Sequence, residues 1–288
     1  MIQSKGISYH LFQYVNTLFM LCVCCLVVFP FLNMLAISFS ESIAVVSGQV
    51  GFFPVGFNLE SYQKIFSHPS FTSGFFNSFV QTAVGCTIGL FMLVICAYPL
   101  SKPQLKGHRF FMRLILFTMF FSGGLIPTYM LVRQLHLLDT IWALVLPFCI
   151  IPYNLMLVIT FFKGIPQSIE ESAYVDGLNP IQVLFRIVLP ISKPILATMF
   201  MFLFVYYWNN WFNSMIYLDS SSKFPIMLVV RNIMNGANIV GETSGVQSMA
   251  AASLKSASVM VTTLPILAIF PFTQKFFVKG IMLGSVKG

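Results

Sequence analysis

Residues 165–194 read IPQSIEESAYVDGLNPIQVLFRIVLPISKP, and the reading of this stretch decides the fold. It holds Glu170, Glu171 and Asp176, three of the eight acids in a 288-residue chain of which only 8% is charged. Long apolar runs flank it, 140–162 before and 195–218 after. Crossing a hydrocarbon core about 30 Å thick takes ~17–25 apolar residues. The stretch is therefore a loop between two membrane spans.

Four more uncharged apolar runs extend the pattern, at 11–38, 75–101, 114–132 and 256–273. The whole chain is 57% hydrophobic with a mean hydropathy of +0.86. Segments in lipid must be helical, because each backbone N–H and C=O needs an internal partner. The expectation is an all-α integral membrane protein with six transmembrane helices, one domain over 1–288, and the lipid bilayer as its first partner. The run at 11–38 exceeds the 7–15 residues of a signal-peptide core, so it is read as a retained span.

Basic residues set the orientation. With the N-terminus inside, eleven of the sixteen Lys and Arg fall on inner segments beside three acids. The outer segments balance five cations against five acids. The net charge of +8 thus lies on one side, which puts 165–194 and both termini in the cytoplasm. That bias accounts for the basic character without a nucleic-acid partner.

Absences narrow the function. No G-x-x-x-x-G-K-[ST] phosphate loop occurs, so ATP and Mg, if used, belong to partners and the chain itself carries no cofactor. No span carries an ionisable group of the kind that relays protons or binds coupling cations. Neither a nucleophile–base pair nor a metal-ligand set is apparent, so the chain is not read as an enzyme. The six cysteines all lie in predicted spans and read as small buried hydrophobes.

Local signals divide 165–194 into two short helices. Ser168 followed by Glu171 predicts a capping box, and Gly177 a stop. Asn179, Pro180 and Gln182 predict a second N-terminus, with proline ending that helix near Leu189 and Pro190. Ile181, Leu184, Phe185 and Val188 are expected to bind the membrane domain. The acid-rich start of the first helix is left to meet something outside the chain. Elsewhere, NLESYQKIF at 58–66 predicts a short outer helix opened by Asn58 and Ser61.

Glu171-Ser172-Ala173-Tyr174-Val175-Asp176-Gly177, followed by Ile187, Leu189-Pro190 and Pro194, resembles the EAA motif of ABC-importer permeases in its carbohydrate version. Ser172 stands where that pattern has its first alanine. SGGLIPTY at 122–129, YYWNNWFNSMIYL at 206–218 and FTQKFFVKGIMLGSVKG at 272–288 are also similar to the sugar-permease branch related to the maltose system's shorter permease. The oligosaccharide and polysaccharide-fragment members fit best. The resemblance implies a type I importer fold in a bacterial cytoplasmic membrane. It also implies a second homologous permease, two cytoplasmic ATPase subunits, and an extracytoplasmic sugar-binding protein. ATPase coupling would fall to Glu170, Glu171, Ser172, Ala173, Asp176 and Gly177. A basic, glycine-rich tail over 275–288 (Lys279, Gly280, Gly284, Lys287, Gly288) would reach between the ATPases. The other readings are an importer of the same build for a glycerol phosphate or a peptide, and an ion-coupled carrier or channel.

Two further expectations concern the spans. On a continuous helix, Tyr206, Asn210, Asn213 and Tyr217 would recur on one face with Trp208 and Trp211 beside it. Such a stripe offers hydrogen bonds and flat aromatic faces to a sugar. Gly123, Gly124 and Pro127 should break the third span.

Overall fold

The computed structural model describes residues 7–235 and 247–284, with side chains over 9–235 and 252–275. Every regular element among them is helical. The first four are α1 (Ile7–Ser38), α2 (Ser42–Val46), α3 (Glu60–Ser67) and α4 (Pro69–Leu100). Next come α5 (His108–Phe120), α6 (Leu125–Gln134), α7 (Ile141–Val145) and α8 (Pro152–Lys163). The segment 165–194 contributes α9 (Gln167–Val175), α10 (Pro180–Val183) and α11 (Leu189–Ile191). The chain continues through α12 (Lys193–Trp208), α13 (Trp211–Tyr217), α14 (Ile226–Met234) and α15 (Gln247–Gly284).

Among the described residues, three stretches are long and apolar enough to cross a membrane alone: Tyr9–Ser38, Pro69–Leu100 and Ala252–Lys275. Three bent pairs pass only jointly: α5 with α6 at 114°, Ile141–Phe148 with α8 at 48°, and Pro180–Ile191 with α12 at 81°. The first break is the one Gly123 and Gly124 predict. The helix stops after Phe120, and Gly124 takes φ +86° before α6 opens. The run at 140–162, expected straight, also bends. Pro152 starts α8 at a first-turn position, where its missing N–H leaves no bond unmade. The run at 195–218 is interrupted at Asn209 and Asn210. Asn209 turns its side-chain amide onto the Val205 carbonyl at 3.0 Å, a local bond that competes with the helix ladder.

The chain folds as two compact units. One gathers residues up to Pro69 with Asn232–Thr263, the other Ser70–Arg231 with residues from Leu264 onward. In the first unit α1 has almost no cover from the chain itself, since its spanning window is 0% buried. Cys22, Cys24 and Cys25 are therefore exposed on α1, not buried as expected. Lipid or another chain must cover that helix. The loop after it is tied by Asn33, which donates to the carbonyls of Val50 (3.3 Å) and Gly51 (2.8 Å), and by Ser38 with Tyr62 at 2.8 Å. The predicted outer helix at 58–66 forms as α3. Its N-cap is Leu59, and Asn58 accepts from the Glu60 N–H at 3.2 Å.

The second unit is built on α4. A Cβ on Gly85 would lie 2.6 Å from the Tyr207 ring, and one on Gly89 3.0 Å from Leu203. The Gly-x-x-x-Gly spacing thus lets α4 and α12 approach backbone to side chain, as small residues do between membrane helices. Ser78 accepts from the Ile226 N–H at 2.8 Å, and Asn77 donates to the carbonyls of Ser222 (2.8 Å) and Phe224 (3.2 Å). A core of Val132, Ala143, Leu144, Tyr217 and Leu218 packs together beside the 135–140 turn. There Asp139, at φ +56°, receives Lys223 Nζ at 2.6 Å, the Ser220 N–H at 3.0 Å and the Ser220 hydroxyl at 2.7 Å. Lys223 first, then these Ser220 donors, hold the Asp139 carboxyl well below the usual carboxylate range.

Candidate coupling site

The segment 165–194 folds as two short helical pieces, and its turn chemistry is local. Asn179 caps α10: its side chain accepts from the Gln182 N–H at 2.9 Å, while Gln182 Oε1 accepts from the Asn179 N–H at 3.0 Å. Pro180 holds the first helical position. Upstream, α9 ends where Gly177 takes φ +81°. The Gly177 N–H reaches the Tyr174 carbonyl and the Leu178 N–H the Ala173 carbonyl, both at 3.0 Å. This is the Schellman arrangement that a left-handed glycine permits.

The predicted capping box at the start of α9 does not form. The helix opens at Gln167, with Pro166 in the N-cap position and no side-chain cap. Ser168 thus lies one residue inside the helix, where its hydroxyl cannot cap the free N–H groups. Glu171 is left exposed with no role in the helix start.

Its neighbour takes the opposite course. Glu170 is 4% exposed, and its carboxylate is ion-paired with Lys102, one oxygen at 2.5 Å. The Tyr98 hydroxyl donates to the same carboxylate at 3.3 Å and lies 3.5 Å from the Tyr174 hydroxyl. The Lys102 ammonium also sits 5.0 Å from the Tyr98 ring centroid. Glu170 therefore does not meet something outside the chain, as the sequence suggests. It turns inward to the end of α4, and Ala173 is buried on the same side.

The remaining motif residues face out. Glu171, Ser172, Asp176 and Gly177 are exposed, and Val175 is 87% exposed. Asp176 occupies the C-cap of α9, where a carboxylate opposes the helix dipole. In the second piece Val183, Leu184 and Val188 are buried, as expected for Leu184 and Val188. Ile181 and Phe185, expected to bind the membrane domain, are 69% and 51% exposed. The outer face of the loop thus combines acids with uncovered apolar side chains.

The sugar stripe predicted over 206–217 is not one face of one helix. The break at Asn209 and Asn210 separates α12 from α13. Trp208 is 1% exposed and stacks on Phe204 at 5.8 Å, and Tyr217 is 1% exposed and stacks on Tyr129 at 6.2 Å. Both are core residues in this structure. Tyr206 and Asn213 still meet in a side-chain hydrogen bond, and Asn210 is buried beside the break with its amide nitrogen unpartnered. Trp211 lies under the Arg231 guanidinium at 4.4 Å. In the tail, Lys279, Gly280 and Gly284 fall in the last turns of α15, while Lys287 and Gly288 lie outside the described residues.

Sequence reasoning missed Lys102 and Tyr98, which carry no local motif and reach Glu170 only through the fold. It also missed the Gly85–Gly89 contact, although the Gly-x-x-x-Gly spacing was there to be read.

No family model matches the chain. Protein LplC of Bacillus subtilis (strain 168) is 40% identical over 280 residues, covering 96% of this chain and 95% of its own length. The polygalacturonan/rhamnogalacturonan transport system permease protein YtcP of the same strain is 40% identical over 274 residues, covering 94% and 96%. A chain of the crystal structure of a bacterial ABC transporter that imports the acidic polysaccharide alginate superposes with a TM-score of 0.88 at 28% identity, covering 95% of this chain and 99% of that one. With the helices, the glycine stop and the capped second piece of 165–194 in place, these likenesses establish that the chain belongs to the carbohydrate-importer permeases of the ABC transporters.

Proposed function

We propose that the chain is one of two homologous membrane subunits of an ATP-driven importer of oligosaccharides or polysaccharide fragments. The observation that carries this reading is the outer face of 165–194. Glu171, Val175, Asp176, Ile181 and Phe185 are exposed on a loop of a mainly apolar protein, a mixture suited to docking a folded protein. The partners there would be two cytoplasmic ATPase subunits, which bind ATP and Mg. An extracytoplasmic sugar-binding protein would deliver the substrate. Six spans would place both termini and this loop on the cytoplasmic side of a bacterial membrane, with the end of α15 directed towards the ATPases.

The mechanics follow from connectivity. Closure of the ATPases around ATP would push on the exposed face, and α10 and α11 lead directly into α12. Movement of α12 would reach the break at Asn209 and Asn210, where Tyr206, Asn213 and Trp211 offer hydroxyl, amide and indole groups to a sugar. The relatives named for polygalacturonan and alginate make oligogalacturonides the first substrate to try.

The experiment is ATP-dependent uptake of labelled oligogalacturonides by proteoliposomes holding both permeases, the ATPases and the binding protein. Uptake that requires every component supports the reading. Uptake without the ATPases, driven by an ion gradient, contradicts it.

A further inference from the structure

Glu170 and Glu171 are adjacent acids on a nine-residue helix, and only Glu171 is available to a partner. A helix of that length is not stable alone and needs tertiary anchors. Towards the rest of the protein α9 presents Ala173 and the Glu170 carboxylate, both buried. Lys102 lies two residues beyond the end of α4, and its backbone is tied to that end through the Pro99 carbonyl at 3.1 Å. Tyr98 is itself in α4. A buried carboxylate bonded by an ammonium and a phenol fixes position strongly, because removing one partner leaves the other charge uncompensated.

We infer that Lys102, Glu170 and Tyr98 form a positioning clasp that makes α9 and the inner end of α4 move as one body. The clasp supplies a second route from the loop into the membrane. One route runs along the chain through α10 and α11 into α12. The other crosses from Glu170 to α4, and α4 is seated against α12 through Gly85 and Gly89. Both routes end on the same helix, so a push on α9 cannot be absorbed by bending at Gly177. Without the clasp α9 would swing about Gly177, and ATP would be hydrolysed without moving sugar. This inference rests on the importer reading above.

The test uses the full importer in proteoliposomes and the full chain in lipid nanodiscs. Spin labels at Gln167→Cys and Phe91→Cys, with the six native cysteines replaced, report the distance between α9 and α4. Lys102→Met is expected to leave the ATPases bound, broaden that distance, and raise the ATP hydrolysed per oligogalacturonide imported by about tenfold or more, the scale on which a broken buried ion pair acts. The exchange Lys102→Glu with Glu170→Lys should narrow the distance again and recover most of the coupling. A role confined to folding would instead lower the yield of assembled complex and leave the coupling ratio alone. The clasp is overturned if Lys102→Met keeps the wild-type distance distribution, or if the exchange is no better than the single change. Failure of wild-type uptake would contradict the importer reading, while the distance measurement in nanodiscs would still decide the clasp.

Discussion

The loop at 165–194 and the segment at 206–218 both set polar residues between apolar runs, yet the fold treats them in opposite ways. In the loop, Gly177 and the Asn179–Gln182 pair each fix a turn within four residues, so the end of α9 and the start of α10 lie where the side chains indicate. In the second segment the expected stripe depends on one helix staying straight for three turns. Two consecutive asparagines end that helix, and Trp208 and Tyr217 rotate into the core. The glycine stop at Gly177 and the Asn179–Gln182 cap, each contained in one turn, survive folding, while the Ser168–Glu171 box beside them does not form. A pattern that assumes a continuous element fails where a single residue pair can stop it.

The hardest test of this contrast is to compare the two tryptophans. Trp208→Ala should cost about 3–5 kcal/mol, the range for emptying a buried aromatic site, and is read as a large fall in thermal unfolding temperature in detergent. Trp211→Ala should leave that temperature near wild type and act on uptake. The reverse pattern would restore the stripe and dismiss the core assignment. Next in size is Gly85→Ala, whose Cβ would meet the buried Tyr207 ring at 2.6 Å. Overpacking of that kind costs about 1–3 kcal/mol, and a full-size loss of stability with Tyr207 intact would confirm the close seat of α4 on α12.

Smaller effects bear on the loop. Asn179→Ala removes a cap that is present, and should cost about 1 kcal/mol, read as faster amide exchange over 181–183. Ser168→Ala removes a cap that does not form and should leave exchange over 167–171 unchanged. The smallest effect is at Asp139. Its carboxyl is lowered by Lys223 and Ser220, so its contribution is fully present above the unfolded carboxylate value of about 3.9. That contribution is lost as pH falls from there towards the lowered folded value. Wild type should therefore lose stability more steeply than Asp139→Asn below about pH 4, as measured by acid titration in detergent.

Much of the architecture was legible because lipid imposes simple rules: long apolar runs must be helices, and Gly124 must interrupt one. The bend between Ile141–Phe148 and α8 was not legible, since Pro152 at a helix start reads in sequence like a proline within a run. In the site, Gly177 and the Asn179–Gln182 cap were readable one by one. The division between Glu170 and Glu171 was not. It depends on Lys102, 68 residues upstream of its partner, and no local pattern encodes that distance.

On the proposed function, that division would give one face of α9 to the ATPase and keep the other for the chain itself. The direct measurement is the dissociation rate of the ATPase subunits from complexes carrying Glu171→Gln or Lys102→Met. Gln keeps the shape of Glu171 and removes only its charge, and loss of a desolvated interface pair costs about 2–5 kcal/mol, expressed mainly in the off-rate. Release should be at least about tenfold faster for Glu171→Gln and unchanged for Lys102→Met. Wild-type retention by Glu171→Gln together with rapid release by Lys102→Met would contradict the two-faced helix.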